Sequence, residues 1–114
     1  MPTVEPPVVT PPDTKPEIES ETKLLPPYNV ILLNDDDHSM EFVVDVLRKV
    51  FGYPVERCVQ FMLEAHTTGR ALVWTGPKEV AELKVEQIRT YHEIRDRDNK
   101  KLGPLDCLIE PAPG

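Results

Sequence analysis

The residues best suited to chemistry are concentrated in Asn34-Asp35-Asp36-Asp37-His38, with a second histidine, His66, further along the chain. Three adjacent carboxylates repel one another, so such a run costs stability unless a positive group offsets it. Three occupants suit these residue types. A divalent cation would accept Asp and Asn oxygens, but the alternating spacing of a calcium loop, its turn glycine and its closing glutamate are absent. The second is no occupant at all, with solvated acids that favour the start of a following helix. The third is an organic cation, because a primary ammonium offers three donors to converging acceptors. Asn34 can lend a carbonyl oxygen, Asp35 or Asp36 a carboxylate, and a neutral His66 a ring nitrogen. Met40 and Val43, and likewise Met62 and Ala65, lie one helical turn apart and can wall whatever the amine carries. Methionine adapts to several apolar shapes, which suits a site that takes related side chains.

Catalytic arrangements are missing. There is no recognisable Ser-His-acid or Cys-His set, no glycine-rich phosphate loop and no HExxH motif. His38 beside Asp37 can be drawn as a base, yet no nucleophile or oxyanion donor accompanies it. A metal-dependent enzyme built on Asp35, Asp36, Asp37, His38 and His66 remains an alternative, as does a general protein-interaction domain without a ligand pocket. The expectation is a non-enzyme with neither metal nor other cofactor.

These residues need elements to position them. Tyr28 to Asn34 is β-branched and apolar and reads as a strand. Phe42, Val43, Val46, Leu47, Val50 and Phe51 repeat at helical spacing, which predicts a helix over Met40–Phe51. Ser39 or His38 stands at its N-cap, Glu41 lies in its first turn and Gly52 stops it. Pro54 opens a second helix running to about Thr68, closed by Gly69, with Val55, Cys58, Val59, Met62, Ala65 and His66 along one side. Arg70 to Thr75 reads as a short strand. A third helix is expected from Lys78 to about Arg95, with Ala81, Val85, Ile88 and His92 on one stripe. Asp96 to Lys101 reads as a charged loop, and Leu105 to Glu110 as the last strand. The order β-α-α-β-α-β implies an α+β fold, three helices on a three-stranded antiparallel sheet.

Composition sets the outer bounds. The chain has 114 residues, so one domain with a tail fits and a two-domain enzyme does not. Thirteen basic against twenty acidic side chains give 13 − 20 = −7, which disfavours nucleic acid and anionic membranes as partners and suits a cationic one. Eight of the 13 prolines lie between Pro2 and Pro27. Proline fixes φ and removes a donor, so residues 1–25 are expected to be a flexible, proline-rich acidic arm, and 26–114 the folded domain. The arm holds five acids and two bases, or −3, leaving −4 on the domain. Cys58 and Cys107 have no metal-ligand spacing and read as reduced core thiols of a cytoplasmic protein. No segment approaches a membrane span or a signal peptide.

The strand, the NDD loop with MEFVVDVL, the helix carrying Met62-Leu-Glu-Ala-His66, and Gly69-Arg-Ala together resemble the ClpS adaptors. The likeness continues through Glu79-Val-Ala-Glu-Leu-Lys84-Val and covers about Pro26 to Ala112. It implies an adaptor that delivers proteins with a Leu, Phe, Tyr or Trp N-terminus, the bacterial N-degrons, to a ClpA- or ClpC-type AAA+ unfoldase of the Clp protease. Asn34, Asp36 and His66, with Asp35 close by, would hold the free α-amine. Met40, Val43, Met62, Ala65 and Leu105 would wall the side-chain pocket. Glu79 and Lys84 would lie on the face that docks on the unfoldase's N-terminal domain, and the arm would engage the unfoldase during handover. The adaptor is expected to act as a monomer. Asp37, His38 and Ser39 stand where relatives commonly carry an aromatic and small residues or proline, so a more acidic and polar rim is expected. Ala65 stands where a larger aliphatic is usual, so a roomier pocket is expected.

Overall fold

Apolar spacing, caps and turns set the elements in the order β1 (Tyr28–Leu33), α1 (Met40–Phe51), α2 (Val55–Thr68), β2 (Arg70–Gly76), α3 (Lys78–Arg89), β3 (Ile94–Arg95), β4 (Lys100–Lys101) and β5 (Cys107–Pro111). They are taken from a computed structural model that describes residues 25–113. The expected arm, Leu25 aside, lies outside the described residues. α1 is capped as its sequence predicts. The Ser39 Oγ accepts from the Phe42 N–H at 3.1 Å, and Gly52 ends the helix with φ 73°. Only glycine takes that left-handed conformation at little cost, and Gly69 closes α2 in the same way with φ 95°.

The sheet is antiparallel with strand order β2-β1-β5, so β1 is central. Pairing runs from Tyr28 opposite Gly76 to Leu33 opposite Arg70, with a shift between Val30 and Ile31 where β2 carries the extra Val73. Val30 and Leu32 of β1, Ala71 and Val73 of β2 and Cys107 of β5 meet Val46, Leu47, Cys58, Met62, Ala81, Val85 and Ile88 from the helices in one core. Leu47 is fully buried, and withdrawing such a side chain from water contributes about 1.5–3 kcal/mol. Cys58 and Cys107 are free and buried, and burial raises both thiols above their ordinary range. Three helices on a three-stranded antiparallel sheet is the expected α+β arrangement.

Three features depart from the sequence expectation by more than one residue. α3 stops at Arg89 rather than near Arg95, which leaves His92 beyond the helix. The Thr90 hydroxyl donates to the Gln87 carbonyl at 2.7 Å, and the Thr90 and Tyr91 N–H groups donate to Gln87 and Ile88, tightening the last turn. The His92 ring then reaches the Leu102 carbonyl at 2.9 Å, while the Leu102 N–H donates to the Glu93 carbonyl at 2.8 Å. The charged segment that follows is therefore a small hairpin, not a plain loop, with Ile94 opposite Lys101 and Arg95 opposite Lys100. Asn99 turns it at φ 56°, and the Arg95 guanidinium grips the Asp98 carboxylate at 3.0 and 2.8 Å. That hydrogen-bonded pairing holds Asp98 down at about 2. Last, β5 begins at Cys107, two residues later than expected, while Leu105 is buried ahead of it.

Candidate functional site

β1 delivers the polar loop to a fixed place. The Leu33 N–H donates to the Asp106 carbonyl at 3.0 Å and the Asn34 N–H to the Gly69 carbonyl at 3.0 Å, tying the strand's end to both sides. Six residues later α1 begins, so the loop 34–39 lies across the strand end and the α1 N-terminus. Within it the Asp35 carboxylate turns back on its own chain. Oδ1 accepts from the Asp37 N–H at 2.7 Å and the His38 N–H at 3.2 Å, and Oδ2 accepts from the His38 Nδ1 at 2.6 Å. The other ring nitrogen of His38, Nε2, faces the Gly103 carbonyl at 2.7 Å. The ring stacks on Phe42 with centroids 5.2 Å apart, and only 3% of the His38 side chain is exposed.

A small cavity of about 40 Å³ opens beside this loop. Asn34, Asp35, His38 and His66 line its polar side; Leu32, Leu33, Met40, Val43, Met62, Ala65 and Leu105 line the rest. The five residues expected as apolar walls thus come together from α1, α2 and the segment before β5, with His66 on α2 beside Ala65. Val43, Met62, Ala65 and Leu105 are buried, whereas Met40 is 52% exposed and stands at the mouth. Asp36 is not in the cavity lining. It is exposed and, with Asp37, opens onto two wider concavities shared with Lys100 and Lys101 on one side and Arg95 and Arg97 on the other.

The expected polar rim is thus divided. Asp37 and Ser39 are exposed, but His38 is drawn inward because two acceptors meet its ring. Sequence reasoning missed Leu32 and Leu33. The even alternation along β1 could have nominated Leu32, since it turns to the same face as the buried Val30. Glu79 and Lys84 lie away from the cavity on α3. Glu79 is exposed, while the Lys84 ammonium donates to the Val50 carbonyl at the end of α1 at 3.1 Å and sits 5.7 Å from the Phe51 ring centroid. Among the described residues no group of three or more His, Cys, Asp or Glu side chains converges to hold a metal ion. No helix of the described residues is long and apolar enough to cross a membrane.

The family model described as ATP-dependent Clp protease adaptor protein ClpS matches residues 23–107. This chain belongs to the ClpS family. A ClpS adapter protein of Pectobacterium carotovorum is 46% identical over 96 residues, covering 82% of this chain and 85% of that protein. One from Salmonella arizonae is 48% identical over 91 residues, covering 78% and 80%. The structure of Agrobacterium tumefaciens ClpS2 bound to L-phenylalaninamide superposes with a TM-score of 0.63 at 32% identity, covering 76% of this chain and 98% of that one. The resemblance found in the NDD loop and the MLEAH helix is thus a family relationship, and the ClpS family is one of Clp protease adaptors rather than of catalysts.

Proposed function

We propose that this ClpS chain captures the free α-amine and bulky apolar first side chain of N-degron proteins and hands them to a Clp AAA+ unfoldase. The observation that carries the reading is one cavity whose polar end holds Asn34 and His66 and whose remaining wall is apolar. An α-amine with a Leu, Phe, Tyr or Trp side chain has that same polarity, cationic at one end and greasy at the other. The relative bound to L-phenylalaninamide supports the match, because that molecule carries a free amine and an aromatic side chain.

Asp36 is the carboxylate we assign to the ammonium. It is exposed and follows Asn34 by two residues, whereas the Asp35 oxygens already accept three hydrogen bonds from their own chain. Each charge-assisted hydrogen bond to the ammonium contributes on the order of 1.5–3 kcal/mol. Burying a Leu or Phe side chain adds roughly 1.5–3 kcal/mol. After the costs of association, micromolar binding near about −8 kcal/mol is the expectation. Entry of a large side chain requires the cavity to widen, and the flexible thioethers Met40 and Met62 flank it. Domain 26–114 is the substrate-holding unit in this reading, and Glu79 and Lys84 mark the face toward the N-terminal domain of a ClpA- or ClpC-type unfoldase. The deciding experiment is a panel of free-amine peptides varied at the first residue, with N-acetylated controls. Binding of Leu and Phe termini that acetylation removes is the expected result; equal binding of acetylated peptides would refute amine capture.

A further inference from the structure

We infer that His38 is a positioning residue of the amine site, which locks the Asp35 carboxylate into the loop and braces that loop against the β3–β4 hairpin. The inference rests on the amine-capture reading for its functional consequence and on geometry for the rest. Both ring nitrogens of His38 face acceptors, the Asp35 Oδ2 at 2.6 Å and the Gly103 carbonyl at 2.7 Å. A neutral imidazole has one N–H, so it can satisfy only one of these contacts, whereas an imidazolium donates to both. The ring is therefore complete as a bridge only in its protonated form, where it also supplies the positive charge that a run of three carboxylates lacks. Its partners are 65 residues apart in sequence for Gly103 and three for Asp35, so one side chain joins the loop to the segment leaving the hairpin.

A second tie lies next to the first. The Ser39 N–H donates to the Glu93 Oε1 at 2.9 Å, and Glu93 precedes β3 as Gly103 follows β4. Consecutive loop residues, His38 and Ser39, are thus held by the two feet of the hairpin. The feet are themselves closed on each other by the Leu102 N–H on the Glu93 carbonyl and by the His92 ring on the Leu102 carbonyl. With Asp35 turned inward by His38, the exposed Asn34, Asp36 and Asp37 are the loop groups left to meet an ammonium. His38 need not touch the bound amine; it acts through Asp35 and the backbone.

The test has one arm that needs no peptide. In nitrogen-15 NMR of the whole chain at acid pH, both ring N–H protons of His38 should be visible because each is held by an acceptor. Those of the exposed His66 should be lost to exchange with water. Ring protons of His38 that exchanged as fast as those of His66 would overturn the bridge. The second arm uses His38→Phe, which keeps the ring and its stack on Phe42 but removes both donors. Leu-amide affinity should fall about tenfold in His38→Phe and in Asp35→Asn, and the double variant should lose no more than the worse single one. Unchanged affinity in His38→Phe, or losses that multiply in the double variant, would overturn positioning through Asp35. If His38→Phe does not fold, His38→Gln, which retains one donor, takes its place. Wild-type binding of N-acetyl-Leu-amide equal to that of Leu-amide would instead refute amine capture, and the ring-proton result would then decide the bridge by itself.

Discussion

The loop 34–39 and the hairpin 94–101 are both short, charged and exposed at their tips, and they line a common concavity beside the cavity. They differ in what their charges do. In the hairpin, Arg95 and Asp98 satisfy each other within four residues, and Asp98 also accepts the Lys100 N–H at 3.2 Å. In the loop, Asp35 is matched by His38, but Asp36 and Asp37 enter no ion pair among the described residues. Charge content alone does not separate a site from a turn. The separation comes from which charges are already answered by the chain's own groups.

The widest gap between the two regions should appear when a carboxylate is removed from each. Asp36→Ala should weaken Leu-amide binding roughly a hundredfold in titration calorimetry, the loss of a strong charge-assisted contact. Asp98→Ala should change it less than about twofold, since an exposed ion pair contributes little beyond its own surroundings. Equal losses would erase the contrast between loop and hairpin. Somewhat smaller, about tenfold or more, is the expected loss in His66→Lys, which sets a permanent cation beside the incoming ammonium. Affinity retained in that variant would remove His66 from the site. Ala65→Val extends the contrast to the apolar wall. Ala65 is 3% exposed, so added methyl groups narrow the cavity, and Trp-amide should lose several-fold more affinity than Leu-amide. The smallest effect belongs to the hairpin's own stability. The Asp98 carboxyl lies at about 2 when folded against an ordinary 3.8, so its contribution is complete above 3.8 and fades as pH falls toward 2. The urea midpoint of Asp98→Asn should accordingly sit slightly below wild type at neutral pH and converge with it near the acid end.

Most of the frame was legible because the local signals agreed with one another. In α1, apolar spacing, the Ser39 cap and Gly52 all point to the same twelve residues, Met40–Phe51. α3 was over-extended because Ile88 and His92 keep helical spacing and no glycine or proline intervenes. The segment after Arg89 is instead drawn to Leu102, whose carbonyl meets the His92 ring and whose N–H donates to the Glu93 carbonyl, which a local pattern does not encode. The hairpin went unread for a similar reason: two-residue strands of Ile94–Arg95 and Lys100–Lys101 carry no apolar alternation. At the site, four wall residues were legible from one-turn spacings and Leu105 from the family resemblance, and Met40, Val43, Met62, Ala65 and Leu105 do line one cavity. The inward turn of His38 was not, because it depends on a carbonyl at Gly103 that only the closed fold brings near.

The anchoring of Asn34 has an entropic side. β1 is the strand paired on both edges, and its last N–H groups are held by Asp106 and Gly69. A mouth that begins on such a strand is already ordered before a partner arrives, so little backbone freedom is surrendered on binding. Discrimination among incoming N-termini should then be expressed mainly as differences in residence time, with similar association rates for strong and weak substrates.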